Sequence, residues 1–256
     1  NSSNSATQPV SPADFTTPLP TCFTETTAAD FTAGTGTGTA ITQTGNGEVT
    51  LLPGPGLGSE FTTLPGDWSS VAWTGGTSGV SAGVVSVDGA RLAPTDTTRY
   101  GPGVVLEFVA TFALATGYQS VGLASGDNTN TSTSMWGGNL PWAHFGTKDV
   151  TNTLYARVNV SGTTADVSLG TGYTGSPHTY RIEWQATTIN FLIDGVSRDL
   201  RTVTLSTPMR PGISDYNYAP PTPVLVDRMW MSPPYAYASP GTFVSKVHDG
   251  GGPTSW

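Results

Sequence analysis

Along this chain apolar residues come in short runs that alternate with polar ones, and Gly, Pro, Asn and Asp punctuate the runs. A period of two puts successive side chains on opposite faces of a pleated strand. The pattern therefore predicts strands at residues 47–52, 80–87, 104–114, 118–124, 142–146, 154–160, 178–184, 189–194 and 224–231. No 3.6-residue periodicity persists beyond two turns. So many strands in one chain predict an all-β sandwich or jelly roll. Residues 1–20, rich in Ser, Thr and Pro with only isolated apolar side chains, read as a flexible arm ahead of one domain over 21–256.

Alternation also sorts residues by face. Leu154, Ala156, Val158 and Val160 form one face of their strand, and Tyr155, Arg157 and Asn159 the other. Tyr180, Ile182 and Trp184 oppose Thr179, Arg181 and Glu183. In 104–114, Val104, Leu106, Phe108, Ala110, Phe112 and Leu114 are expected inside, with Glu107 and Thr111 outside alongside Val105 and Val109. Two readings follow. In one, these strands lie together, so that Glu107, Tyr155, Arg157, Arg181 and Glu183 line a polar face able to hold a sugar chain, with Trp136, Trp142 and His144 at its edge. In the other, the charges are cross-strand ion pairs on a solvated face. Tyr216 and Tyr218, like Trp136 and Trp142, are aromatics in Gly/Pro-rich surroundings, where planar rings serve as platforms for apolar sugar faces.

Composition narrows the classes. Only 11% of the 256 residues are charged, against about 25% in an ordinary soluble domain, and the polar positions go to Thr, Ser and Gly. A net charge of −8 with no Lys/Arg cluster argues against nucleic acid. No run approaches the roughly 18 apolar residues of a membrane-spanning helix. The chain begins at Asn1 with no signal-like segment, and with this composition the expectation is a mature secreted or cell-surface chain. The single Cys22 makes no internal disulfide and is expected as a small buried hydrophobe.

At His178-Thr179-Tyr180-Arg181-Ile182-Glu183-Trp184, followed by Ile189-Asn190-Phe191-Leu192-Ile193-Asp194-Gly195, the chain resembles the concanavalin A-like lectin/glucanase superfamily. Laminarinases and other family 16 glycoside hydrolases carry a similar strand pair. Further stretches resemble a domain that recurs in secreted bacterial surface proteins: Thr27-Ala28-Ala29-Asp30-Phe31, Gly47-Glu48-Val49, Tyr100-Gly101-Pro102-Gly103, Leu106 to Phe112, Leu154-Tyr155-Ala156-Arg157, Met209-Arg210-Pro211 and Asp227 to Pro233. The resemblance implies a concanavalin A-like jelly-roll β-sandwich of two curved antiparallel sheets, with a groove on the concave one and a polysaccharide or cell-surface glycan as partner. It implies no required cofactor. Structural calcium in loops is an expectation by analogy, with Asp127 and Asp215 as candidate ligands.

Active family 16 enzymes carry Glu-x-Asp-x-x-Glu or Glu-x-Asp-x-Glu on one strand. Where that strand is expected, this chain reads Trp136-Gly137-Gly138-Asn139-Leu140-Pro141-Trp142-Ala143-His144-Phe145. No catalytic residue of that family carries over. The sequence therefore reads as a non-catalytic glycan-binding or structural and adhesive module. One alternative is a carbohydrate-active enzyme, either a hydrolase pairing Glu107 with Glu183 or a lyase using His144 with Tyr155 and Arg157. Another is a polymer subunit joined through residues 1–20, whose Val10, Phe15 and Leu19 would add a strand to a neighbour. No Gly-x-Ser-x-Gly elbow occurs, and His144, His178 and His248 show no zinc spacing.

Overall fold

The structure is a computed structural model that describes residues 57–95, 98–128, 135–136, 140–216 and 222–232, together with the backbone of four short strands outside these ranges. The readings for residues 1–20, Cys22, Tyr218 and His248 lie outside the described residues. In chain order the strands are β1 (Thr35–Thr37), β2 (Thr39–Gln43), β3 (Val49–Pro53), β4 (Leu57–Ser59), β5 (Trp68–Ser81), β6 (Val84–Pro94), β7 (Val104–Thr111), β8 (Gln119–Ala124), β9 (Trp142–Thr147), β10 (Leu154–Val160), β11 (Thr163–Gly170), β12 (His178–Trp184), β13 (Thr188–Ile193), β14 (Val196–Thr202), β15 (Arg210–Asp215), β16 (Val224–Ser232) and β17 (Thr242–Val244). Among the described residues there is no helix. The chain divides into two units, 1–54 with 239–256, and 55–238. In the first, β1 pairs with β17 and β2 with β3, both antiparallel.

The second unit is a two-layer antiparallel sandwich. One layer runs β11-β10-β9-β8-β15 and the other β14-β13-β12-β7-β16, and β6 belongs to both. Its first half, Val85–Val87, pairs with β16, and its second half, Ala90–Leu92, pairs with β15. Between the halves Gly89 adopts a positive φ of 57°, which glycine tolerates without a Cβ clash. The inner faces meet through aromatic rings. Phe145 of β9 lies 6.1 Å from Phe108 on β7, 5.0 Å from Tyr180 on β12 and 5.1 Å from Phe191 on β13. Offset and edge-on contacts of this kind add to the area the rings bury. Two of the polar tips inside are satisfied, Trp184 Nε1 donating to Leu205 O and Tyr180 Oη to Tyr173 O.

Two strand expectations need correction. The run 80–87 is not one strand but the hairpin of β5 and β6, because Ala82 and Gly83 have φ of 52° and 79°. Positive φ at both central residues is the geometry of a tight hairpin turn. The same device closes β10 onto β11 at Ser161-Gly162 and β13 onto β14 at Asp194-Gly195. The run 104–114 stops at Thr111. Beyond it the side chain of Gln119 accepts from Ala113 N, and Leu114, expected inside, is 52% exposed.

Candidate functional site

The residues nominated from the sequence do not share one face. Phe108 and Tyr180 point at Phe145 across the core, so their alternates Glu107, Arg181 and Glu183 project from the far side of the β7/β12 layer. His144, Tyr155 and Arg157 project from the opposite side of the molecule. On the first face the charges form a ladder. Arg181 Nε lies 3.1 Å from Glu183 Oε1, Arg181 Nη1 3.9 Å and Arg228 Nη2 3.6 Å from Glu107, and Asn190 Nδ2 donates to Glu183 Oε2. This is a cross-strand ion-pair arrangement of half-buried side chains, and a pair of this kind near the surface contributes about 0–1 kcal/mol. The carboxylate pair Glu107 and Glu183 stands with Arg181 between its members in the cross-strand network.

A cleft of about 200 Å³ opens on the other layer. Its floor is set by register. Across β10, β9, β8 and β15, one row reads Arg157, His144, Gly122 and Gly212, and the next Tyr155, Gly146, Ser120 and Ser214. The glycines leave room for the imidazole. A Cβ on Gly122 would sit 2.5 Å from Ala143 O and 2.6 Å from His144 Cβ, and one on Gly146 would sit 2.4 Å from Gln119 O and 3.0 Å from His144 Nδ1. Trp136 and Trp142 hold the ring between them, each centroid 4.7 Å from that of His144. A second aromatic group faces the cleft. Trp73 lies 5.1 Å from Tyr216, which lies 6.2 Å from Tyr118, and the two tyrosines are 57% and 55% exposed.

Trp73 arrives through a bulge. β5 slips on β6 between Ala72 and Thr77, so that Trp73 to Gly76 oppose Gly89 alone. A bulge re-aims the side chains it carries. Sequence alternation missed Trp73, Tyr118, Ser120 and Ser214; the signal for the first was a Trp just ahead of Gly75-Gly76 inside a long strand run.

His144 is 1% exposed. Its Nδ1 lies 3.1 Å from Phe145 O, which fixes the proton on that nitrogen, and its Nε2 has no hydrogen-bond partner among the described residues. Burial, reinforced by the nearby Arg157 charge, lowers its pKa to about 3. The imidazole is therefore neutral, and its free nitrogen accepts. The indole Nε1 of Trp142, itself 4% exposed, is buried without an acceptor among the described residues. Arg157 joins Asp166 on β11 through Nε (3.0 Å) and Nη2 (3.4 Å), and its guanidinium lies 5.6 Å from the Trp142 ring centre. Lys148 Nζ reaches the same carboxylate at 2.9 Å.

Among the described residues no Asp or Glu lines the cleft. Among the described residues no three His, Cys, Asp or Glu cluster as a metal site. Asp127 pairs with Arg99, and Asp215 accepts from Gln119 Nε2 at 2.7 Å. Elsewhere Ser176 Oγ lies 3.2 Å from His178 Nε2, and His178 Nδ1 lies 2.8 Å from Asp194, whose other oxygen accepts from Thr179 N. These bonds tie the start of β12 to the end of β13.

A family model described as glycosyl hydrolases family 16 matches residues 131–231, a span of less than half the chain that includes the floor strands β9, β10 and β15. The chain resembles the family 16 glycosyl hydrolases. An endo-beta-1,3-glucanase from Pyrococcus furiosus superposes with a TM-score of 0.54 at 14% identity, covering 80% of this chain and 98% of that one. The laminarinase from Rhodothermus marinus gives 0.51 at 16%, covering 68% and 95%. A Bacteroides ovatus family 16 protein of a mixed linkage glucan locus, in complex with a G4G4G3G product, gives 0.51 at 9%, covering 69% and 99%. No curated protein matches the chain. At these identities the likeness establishes the fold, a concanavalin A-like jelly-roll sandwich. Within the family 16 resemblance, β9 lies where the strand of alternate carboxylates is expected, and on its cleft face it carries Trp142, His144 and Gly146.

Proposed function

We propose that this chain is a non-catalytic glycan-binding module of a secreted or cell-surface protein, and that the aromatic cleft over β8, β9, β10 and β15 is its binding site. The observation that carries this reading is the cleft itself: two groups of aromatic rings flank a floor that holds the buried, unpartnered Trp142 indole N–H and the His144 Nε2 acceptor, and no carboxylate lines it among the described residues. Planar rings take the apolar faces of sugars, and a few fixed polar groups orient the hydroxyls. Buried polar atoms without protein partners are sites where a ligand's own groups complete the bonding.

The hydrolase alternative requires two carboxyls flanking the scissile bond, about 5 Å apart for retention and about 6.5–9.5 Å for inversion, and the cleft offers none. In the lyase alternative His144 would be the base. A base works best with a pKa near the working pH, and at about 3 His144 is far too weak.

The test is incubation of the full chain with an immobilised polysaccharide panel, with retained protein and released oligosaccharides read from the same wells. Retention without new reducing ends or unsaturated products is expected. Product release overturns the non-catalytic assignment, and absence of retention across the panel overturns the glycan assignment.

A further inference from the structure

The cleft has a charge character that its aromatic lining does not require. At neutral pH the one ionised side chain among the described residues of its lining is Arg157, since His144 is uncharged. Arg157 spends Nε and Nη2 on Asp166, leaving Nη1 without a partner among the described residues. Asp166 is itself shared with Lys148, so this trio carries one positive charge in excess on a chain whose net charge is −8. The same lining holds the Ser120 and Ser214 hydroxyls, which both donate and accept, the Trp142 indole N–H as a donor and His144 Nε2 as an acceptor. A volume of about 200 Å³ falls below the roughly 300–1,000 Å³ of pockets that hold drug-sized ligands, and suits one sugar ring better than a chain of them.

Resting on the glycan reading, we infer that the cleft selects a single sugar ring bearing an anionic substituent, with the anion on Arg157 and the ring between the two aromatic groups. A carboxylate, as in a uronic acid, and a sulfate ester offer the same chemistry to Arg157: a negative oxygen that accepts a charge-assisted hydrogen bond in a partly desolvated place. Asp166 takes the Nε proton and one Nη2 proton, so both Nη1 protons and the second Nη2 proton remain for the anion. Selection comes from charge, and the position of the ring comes from the aromatics and from the His144 acceptor.

The experiment measures binding of the full chain to matched polymers: alginate and polygalacturonate, each with its methyl-esterified form, chondroitin sulfate with its desulfated form, and laminarin as a neutral glucan. At low salt the acidic member of at least one pair is expected to bind ten-fold or more tightly than its neutral partner. That gap should shrink at 0.5 M NaCl, because the contact is only partly buried. The esterified arms report a carboxylate and the desulfated arm a sulfate. In Arg157→Gln the gap should close, while Arg157→Lys should keep most of it; melting curves of both variants show whether the fold survives the loss of the Asp166 pair. Equal binding of acidic and neutral partners, or a gap that persists in a folded Arg157→Gln, overturns the anionic inference and leaves the glycan reading standing. Binding to no polymer overturns both.

Discussion

Arg157 stands directly across the β9–β10 ladder from His144, and the relationship fixes the chemistry of the cleft floor. Burial alone would disfavour a charged imidazole, and a guanidinium alongside disfavours it further. The bond to the Phe145 carbonyl works in the other direction and is outweighed. The outcome is a histidine that neither titrates nor changes tautomer over the physiological range, and so acts as a fixed acceptor.

This arrangement links stability to pH. A histidine in the unfolded chain takes up its proton near 6.5, whereas folded His144 resists until about 3. Between those values the unfolded state binds more protons, so the stability present above about pH 6.5 declines as the pH falls. By pH 4.5 the loss from this one group is on the order of 2–3 kcal/mol. Asp149, Asp166 and Asp194, held below the usual 3.8 in the fold, lose their contributions only under that value, while burial raises Asp88 and Asp227, whose protonation works against the decline and is common to the native chain and to His144→Gln. Thermal melts at pH 7.5, 5.5 and 4.5 should show Tm falling in the native chain and much less so in His144→Gln. Parallel curves for the two would mean that His144 is not the group responsible.

Gly122 should be intolerant of any side chain. Its missing Cβ is the space occupied by the His144 backbone and Cβ at 2.5–2.6 Å, and backbone on a central strand yields poorly. Gly122→Ala is expected to cost about 1–3 kcal/mol, as overpacking commonly does, and to reduce glycan retention by displacing His144. Gly66→Ala is the control, because a Cβ there meets nothing within 4 Å. The comparison is read from Tm and from retention in the same polysaccharide panel.

The two outer faces should behave differently. Trp136→Ala removes a ring against His144 on the cleft side and should weaken glycan binding at least several-fold. Glu183→Gln and Arg181→Gln, on the far face, should leave binding unchanged and alter stability by no more than about 1 kcal/mol. Loss of binding in the far-face variants, measured by titration with a retained glycan, would move the site to the other sheet.

The fold was legible because strand alternation is a local property. The ranges 154–160 and 178–184 coincide with β10 and β12, since each pairs a clean apolar face with a polar one. β11 and β14 were missed for the converse reason. They are edge strands with largely exposed side chains, and Thr163–Gly170 and Val196–Thr202 carry little apolar periodicity. The candidate site was legible only in part. Alternation shows that Arg157 and Glu183 each point away from the core, but it cannot show that their strands lie in opposite layers. That follows from β6 crossing between the sheets at Gly89. Trp73 was hidden for a related reason: a four-residue bulge suspends the period on which the reading depends.

The Ser176, His178 and Asp194 side chains reproduce the hydrogen-bond order of a serine nucleophile, a base and an orienting carboxylate, and they should nevertheless be inert. Such chemistry needs donors aimed at the developing oxyanion, commonly backbone N–H groups beside the nucleophile. Here the residue after Ser176 is Pro177, which has no N–H, and the Gly175 N–H already donates to Phe112 O at 2.7 Å. The bonds act instead on the hairpin, where Asp194 joins both the His178 ring and the Thr179 backbone. Incubation with a fluorophosphonate should leave the intact mass of the protein unchanged, whereas His178→Ala should lower Tm by loosening the β12–β13 corner. A phosphonylated Ser176 would show that the missing oxyanion donors are supplied elsewhere and would make this corner a second centre of chemistry.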